Sequence, residues 1–163
     1  MRQMVLSILV DNEAGVLSRI SGLFSRRGYN IDSLTVGPTQ DPMFSRMTVA
    51  VTGEENVLAQ IKKQLGKLID VKSIRELPSD SSVCRELILV KVMATPAERQ
   101  AVIAVADIFR AKIVDVSPES LMVELTGNQA KLKSFVDLLE GFSIKEIART
   151  GITGLSRGID IEE

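Results

Sequence analysis

The stretch Asp11-Asn12-Glu13-Ala14-Gly15-Val16-Leu17-Ser18-Arg19-Ile20, DNEAGVLSRI, follows directly on the apolar run Met4-Val5-Leu6-Ser7-Ile8-Leu9-Val10. The run has the length and composition of a strand, and past Gly15 the apolar residues switch to helical spacing. Val16, Leu17, Ile20, Leu23 and Phe24 then share one face, with Arg19, Ser21, Ser25 and Arg26 opposite. A strand therefore feeds a helix through a glycine loop. Gly28 ends that helix, and a second strand is expected over 29–37, running into the turn-rich Gly37-Pro38-Thr39-Gln40-Asp41-Pro42. Met47, Val49 and Val51 alternate with Arg46, Thr48 and Ala50, the period-two pattern of a half-buried strand, so the second and third strands form a hairpin.

Thr52-Gly53-Glu54-Glu55 has the form of a capping box, and Val57, Leu58, Ile61, Leu65 and Leu68 continue at helical spacing. A fourth strand over 69–77 completes the order β-α-β-β-α-β. That order predicts an α+β, ferredoxin-like sandwich with a four-stranded antiparallel sheet and both helices on one face. Pro78-Ser79-Asp80-Ser81-Ser82 is polar and opens on proline, which marks a boundary: a first domain over 1–77, a linker over 78–83 and a second domain over 84–163. The same order recurs beyond it. A strand runs from Glu86 to Ala94, Thr95-Pro96-Ala97-Glu98 caps a helix reaching about Phe109, strands follow near 111–116 and 121–126, then a helix over 128–139 and a strand over 142–150. Val51–Leu58 laid against Leu125–Leu132 keeps the Thr-Gly pair, the capping acceptor and the leucine in step, which points to two domains of one architecture. The tail after Thr150, GITGLSRGIDIEE, is glycine-containing and patternless, and is expected to be ordered only by a partner.

Composition narrows the function. With 163 residues, 45% hydrophobic and 25% charged, the chain can build its own cores. A net charge of −1 and no run of like charges give no general attraction to nucleic acid or to an anionic membrane. The longest apolar runs, such as Leu87-Ile88-Leu89-Val90, are strand-length, and Met1-Arg2-Gln3 opens onto a strand rather than a signal peptide, which predicts a cytoplasmic protein. An RNA-binding sheet needs aromatics on its central strands, and MVLSILV and SRMTVAV carry none. Cys84 is the only cysteine, so no intrachain disulfide or thiolate cluster can form, and a packing role is expected for it. There is no histidine, and the carboxylates stand singly rather than in pairs that drive two pKa values apart. Nothing in the sequence supports catalysis.

Gly15 permits a different use. The first turn of a helix presents unpaired N–H groups and the positive end of the macrodipole, and a residue without Cβ lets a carboxylate approach them. Asn12 either caps the helix or touches the ligand. At the corresponding mouth in the second half, Glu98 already supplies an anion. Arg26 and Arg27 read as a solvated helix end beside the negative pole, whereas Asn30, opening the next strand, offers an amide to the ammonium or carboxylate of an amino acid.

These stretches carry a resemblance. DNEAGVLSRI, then FSRRGYNIDSLTV, SRMTV and QLGKLIDV, with RTGITGLSRG near the end, closely resemble the small regulatory subunits of acetohydroxyacid synthase, also called acetolactate synthase. The match spans nearly the whole chain. RGYNI followed by SLTV is specific to that family, while the glycine loop marks the broader class of ACT domains, small amino-acid-binding regulatory modules. The resemblance implies a non-catalytic subunit that binds the catalytic subunit, activates it and confers feedback inhibition by valine or another branched-chain amino acid. Thiamine diphosphate, magnesium and FAD are then expected only on the catalytic subunit, and no cofactor or metal on this chain. It further implies a homodimer through the ACT domains, with valine held between Asn12, Glu13, Ala14, Gly15, Val16 and Leu17 of one chain and Asn30 and Ile31 of the other. Within that site the N–H groups hold the carboxylate, Asn12 or Asn30 takes the ammonium, and Val16, Leu17 or Ile31 lines the apolar pocket. Many ACT domains have proline before the loop glycine where this chain has Ala14. The alternative is a free-standing ACT-type sensor of another enzyme or a transcription factor.

Overall fold

The computed structural model describes residues 1–159, which form two compact units: Met1–Cys84 together with the segment from Ile152 onward, and Arg85–Gly151. In the first unit the elements are β1 (Arg2–Asp11), α1 (Val16–Arg26), β2 (Ile31–Pro38), β3 (Phe44–Gly53), α2 (Glu55–Leu65) and β4 (Val71–Glu76). The sheet is antiparallel with order β2-β3-β1-β4. Register sets Leu6 opposite Val49 and Ile8 opposite Met47. These residues close on Val16, Ile20, Leu23 and Phe24 of α1 and on Leu58, Ile61 and Leu65 of α2. Helices of 11 residues are marginal by themselves. Burial of such side chains, worth about 1.5–3 kcal/mol each, holds them in place.

The end of α1 is fastened in the same way. Gly28 N donates to Ser25 O at 3.2 Å and Tyr29 N to Phe24 O at 3.0 Å, a Schellman pattern, and the Tyr29 ring meets Phe24 edge-on at 6.2 Å. The start of α2 differs from the expected capping box. Its N-cap is Glu54, no side chain caps it, and Thr52 Oγ1 instead donates to Asp32 Oδ2 at 2.6 Å. A box closed from residue 54 needs Glu or Gln at 57, where the chain has Val57.

The second unit repeats the order with β5 (Ser82–Met93), α3 (Arg99–Phe109), β6 (Lys112–Ser117), β7 (Ser120–Gly127), α4 (Gln129–Leu139) and β8 (Ser143–Arg149). Its strand order is β6-β7-β5-β8. Ile88, Val90, Val92, Leu121, Val123 and Leu125 pack on Val102, Ala106, Leu132, Phe135 and Leu139. Phe135 is fully buried, 5.2 Å from the Phe109 ring. Here the cap in the matched segment is made: Asn128 Oδ1 accepts from Lys131 N at 2.9 Å. β5 begins at Ser82, inside the stretch read as linker.

The tail departs from expectation most. Ile152 is 3% exposed, and β9 (Thr153–Ser156) pairs with β5. Thr35 Oγ1 donates to Ile152 O at 3.2 Å, Ile152 N donates to Ser33 Oγ at 3.3 Å, and Arg75 Nη1 donates to Ser156 Oγ at 3.0 Å. The segment from Ile152 thus belongs with the first unit, not with the second domain to which the sequence reading assigned it. Its order comes from partners within its own chain. Residues 160–163 of the tail lie outside the described residues.

Candidate functional site

β1 ends at Asp11, whose N–H donates to Asp70 O at 3.0 Å. The next residue is tied twice to the β2–β3 turn: Asn12 N donates to Met43 O at 2.8 Å, and Asn12 Nδ2 to Pro42 O at 3.0 Å. Of the two roles left open for Asn12, the structure excludes the cap, because its amide secures the loop base while Gly15 is the N-cap. Gly15 has φ 89°, in the left-handed region, and no side chain caps α1. Asn12, Glu13, Ala14 and Gly15 are all exposed, so the mouth of the helix is open to solvent. Val16 is 3% exposed and belongs to the core, whereas Leu17, at 46%, lies on the outside.

A neighbour missed by the sequence reading sits over this loop. A Cβ added to Gly15 would lie 2.9 Å from Arg19 Nη1, so the guanidinium packs directly on the glycine. Arg19 Nε and Nη2 donate to the two oxygens of Asp70 at 2.6 and 3.0 Å. Asp70 is buried, and Arg19, by hydrogen bonding first and charge second, holds its carboxyl below the usual aspartate range despite burial. The spacing of Gly15 and Arg19, one helical turn, is the available signal, although periodicity alone puts Arg19 on the solvated face. The left-handed dihedral is what keeps residue 15 a glycine; the arginine tip against it could shift to admit a Cβ.

Asn30 and Ile31 lie past the other end of α1. Eleven residues separate the ends, about 16 Å at about 1.5 Å per residue. One copy of the chain does not bring the glycine loop and Asn30 together. Asn30 is exposed, while Ile31 is half-buried against the unit's own core. Between Ile31 and Ser33 the β2–β3 register shifts, a bulge at Asp32 that re-aims the strand start.

The chain enters the equivalent helix of the second unit differently: Glu98 N donates to Thr95 Oγ1 at 3.3 Å and Thr95 N to Glu98 Oε1 at 3.4 Å in the turn before α3, whose N-cap, Glu98, carries no side-chain cap of its own. Among the described residues no group of His, Cys, Asp or Glu is arranged to hold a metal ion, and no helix is long and apolar enough to cross a membrane.

Comparison with known proteins bears on both units. Residues 6–73 match the family model of the AHAS small subunit-like ACT domain, and residues 85–158 match that of the small subunit of acetolactate synthase. The chain is 50% identical over 155 residues to the probable acetolactate synthase small subunit of Methanothermobacter thermautotrophicus, covering 94% of this chain and 92% of that one. It is likewise 50% identical over 155 residues to the acetolactate synthase isozyme 3 small subunit of Escherichia coli, covering 94% and 95%. The crystal structure of the acetolactate synthase small subunit from Thermotoga maritima superposes with a TM-score of 0.89 at 38% identity, over 98% of this chain and 100% of that one.

Proposed function

The chain belongs to the acetolactate synthase small-subunit family, and from that premise we propose that it binds the catalytic subunit of that enzyme, activates it, and makes it sensitive to feedback by valine. The chain itself does no chemistry. Thiamine diphosphate, magnesium and FAD act on the catalytic subunit, in the cytoplasm. Two ACT domains pair into a homodimer, and each valine is held between the 12–17 loop of one copy and Asn30 and Ile31 of the other.

The observation that carries this reading is the separation along α1. A ligand of valine's size cannot span about 16 Å, so residues at opposite ends of the helix form one site only when a second copy supplies one end. At the loop, the uncapped N–H groups and the helix dipole favour a carboxylate, and Arg19 Nη1, which lies against Gly15, is a further donor there. Leu17 offers apolar surface there, and Asn30 an amide for the ammonium. Val16 contributes backbone alone, since its side chain is buried. A site shared by two copies couples effector binding to dimer geometry, which is the linkage a feedback switch needs.

The test is calorimetric titration of the dimer with valine, for the wild-type chain and for Gly15→Asp. Saturable binding that is lost in the variant supports the reading. Unchanged binding in Gly15→Asp overturns the site, and failure to co-purify with a thiamine-dependent enzyme favours a free-standing sensor.

A further inference from the structure

Among the described residues the edge strand β2 pairs along one side only, with β3; Ile31 opens it and Asn30 comes just before it. Two residues further on, the hydroxyls of Ser33 and Thr35, which share one face of the strand, bracket a single residue of the tail. Ile152 donates its N–H to Ser33 Oγ at 3.3 Å and accepts from Thr35 Oγ1 at 3.2 Å. Four residues on, Ser156 Oγ accepts from Arg75 of β4, the opposite edge of the sheet. Four extended residues reach about 13 Å, and three strand spacings from β2 to β4 amount to about 14 Å. The tail therefore crosses the sheet from edge to edge, on the face away from the helices. Ser7, Thr48 and Ala50 are all buried in that sheet although the helices cover its other face.

The middle of the crossing is tightly fitted. A Cβ on Gly154 would lie 2.6 Å from Cys84 Sγ, 2.9 Å from the Val83 carbonyl oxygen and 3.2 Å from Leu77 Cδ1. Beyond it, Arg157 N donates to Ser81 O at 2.8 Å. Only glycine lets the segment lie this close, and backbone on the far side cannot yield.

We infer that Ile152–Ser156 is a strap that fastens the edge strand β2, with Ser33 and Thr35 as positioning residues for the effector half-site at Asn30 and Ile31. The half-site rests on the function proposed above, while the fastening of β2 stands on the geometry alone. Without the strap, β2 keeps its bonds to β3 but loses the contacts that fix it from the outer face, and the bulge at Asp32 gives it freedom to shift just where Asn30 is set.

Amide hydrogen exchange and valine titration of the full chain separate these statements, using Thr35→Val, Thr35→Ser and Gly154→Val. Thr35→Val removes one hydroxyl at nearly constant volume. It should speed exchange at residues 33–36 about fivefold relative to residues 4–10 and weaken valine binding by a similar factor. Thr35→Ser should restore both, and Gly154→Val, which expels the strap, should exceed both. Unchanged exchange over 33–36 in Thr35→Val overturns the strap. Faster exchange with unaltered valine affinity overturns the positioning role. A wild-type chain that binds no valine overturns the effector reading instead, and exchange alone then judges the fastening of β2. Should Gly154→Val fail to fold, the pair at Thr35 decides.

Discussion

At the start of α1 the chain turns through a left-handed glycine, no side chain caps the helix, and an arginine lies over the loop. In the turn leading into α3, Thr95 and Glu98 bond to each other. The two helices occupy the same place in the same β-α-β-β-α-β order. The chain enters one helix through a left-handed glycine and the other through a turn closed by side-chain bonds. The fold fixes where a helix mouth stands, and three or four residues decide how the chain enters it.

The largest effect that could break this comparison is expected from Gly15→Asp. The left-handed dihedral costs a non-glycine residue about 1–2 kcal/mol, the new side chain meets Arg19, and its charge occupies the carboxylate position. Calorimetry should show valine binding weakened by far more than tenfold, with activation of the catalytic subunit largely intact. Next in size, Phe135→Ala empties a buried position of the second core and should cost about 3–5 kcal/mol in denaturant unfolding, while valine affinity holds. If affinity falls as steeply as stability, the two units are not separate in function.

Thr95→Val tests the turn before α3 and should cost about 1 kcal/mol of stability, with valine affinity unchanged. A new anion site at α3, detected by titration of the variant, would show that this turn alone separates the two helix starts. The smallest effect concerns Asp70. Its carboxyl is held below the ordinary range, so the stabilisation from its pair with Arg19 is complete above the unfolded aspartate value of about 4 and is lost as pH falls through the lower folded value. Acid titrations followed by circular dichroism should find that wild type loses more stability below about pH 4 than Asp70→Asn does. Equal pH dependence of the two proteins would remove the ion pair from the account.

Most of the fold was legible because periodicity reports burial directly. Met47, Val49 and Val51 alternate along β3, and Val16, Ile20, Leu23 and Phe24 recur along α1, all of them in one core. The glycine loop was legible for a local reason, since a strand, a glycine and an amphipathic helix follow one another without a gap. The Arg19 and Asp70 pair was not, because its partners are 51 residues apart and the arginine alone looks like any solvated helix residue. The capping form at Thr52–Glu55 misled because an acidic residue three positions on is informative only once the N-cap is known. The tail misled for the opposite reason. Its glycines looked like disorder, yet Gly154 serves close approach, and Ile152 finds its hydroxyl partners more than a hundred residues away.

That distance has a consequence for how the protein is made. The hydrogen bond from Thr35 to Ile152 joins residues 117 apart in sequence. At about 5–20 residues per second on the ribosome, about 6–23 s pass between synthesis of the two partners. Most of the second unit is synthesised during that interval, while the outer face of the first sheet waits for Ile152–Ser156. The unit whose synthesis starts first thus still lacks its strap when the other is almost fully made, and a nascent chain stalled shortly before Ile152 would present that face of the sheet to chaperones.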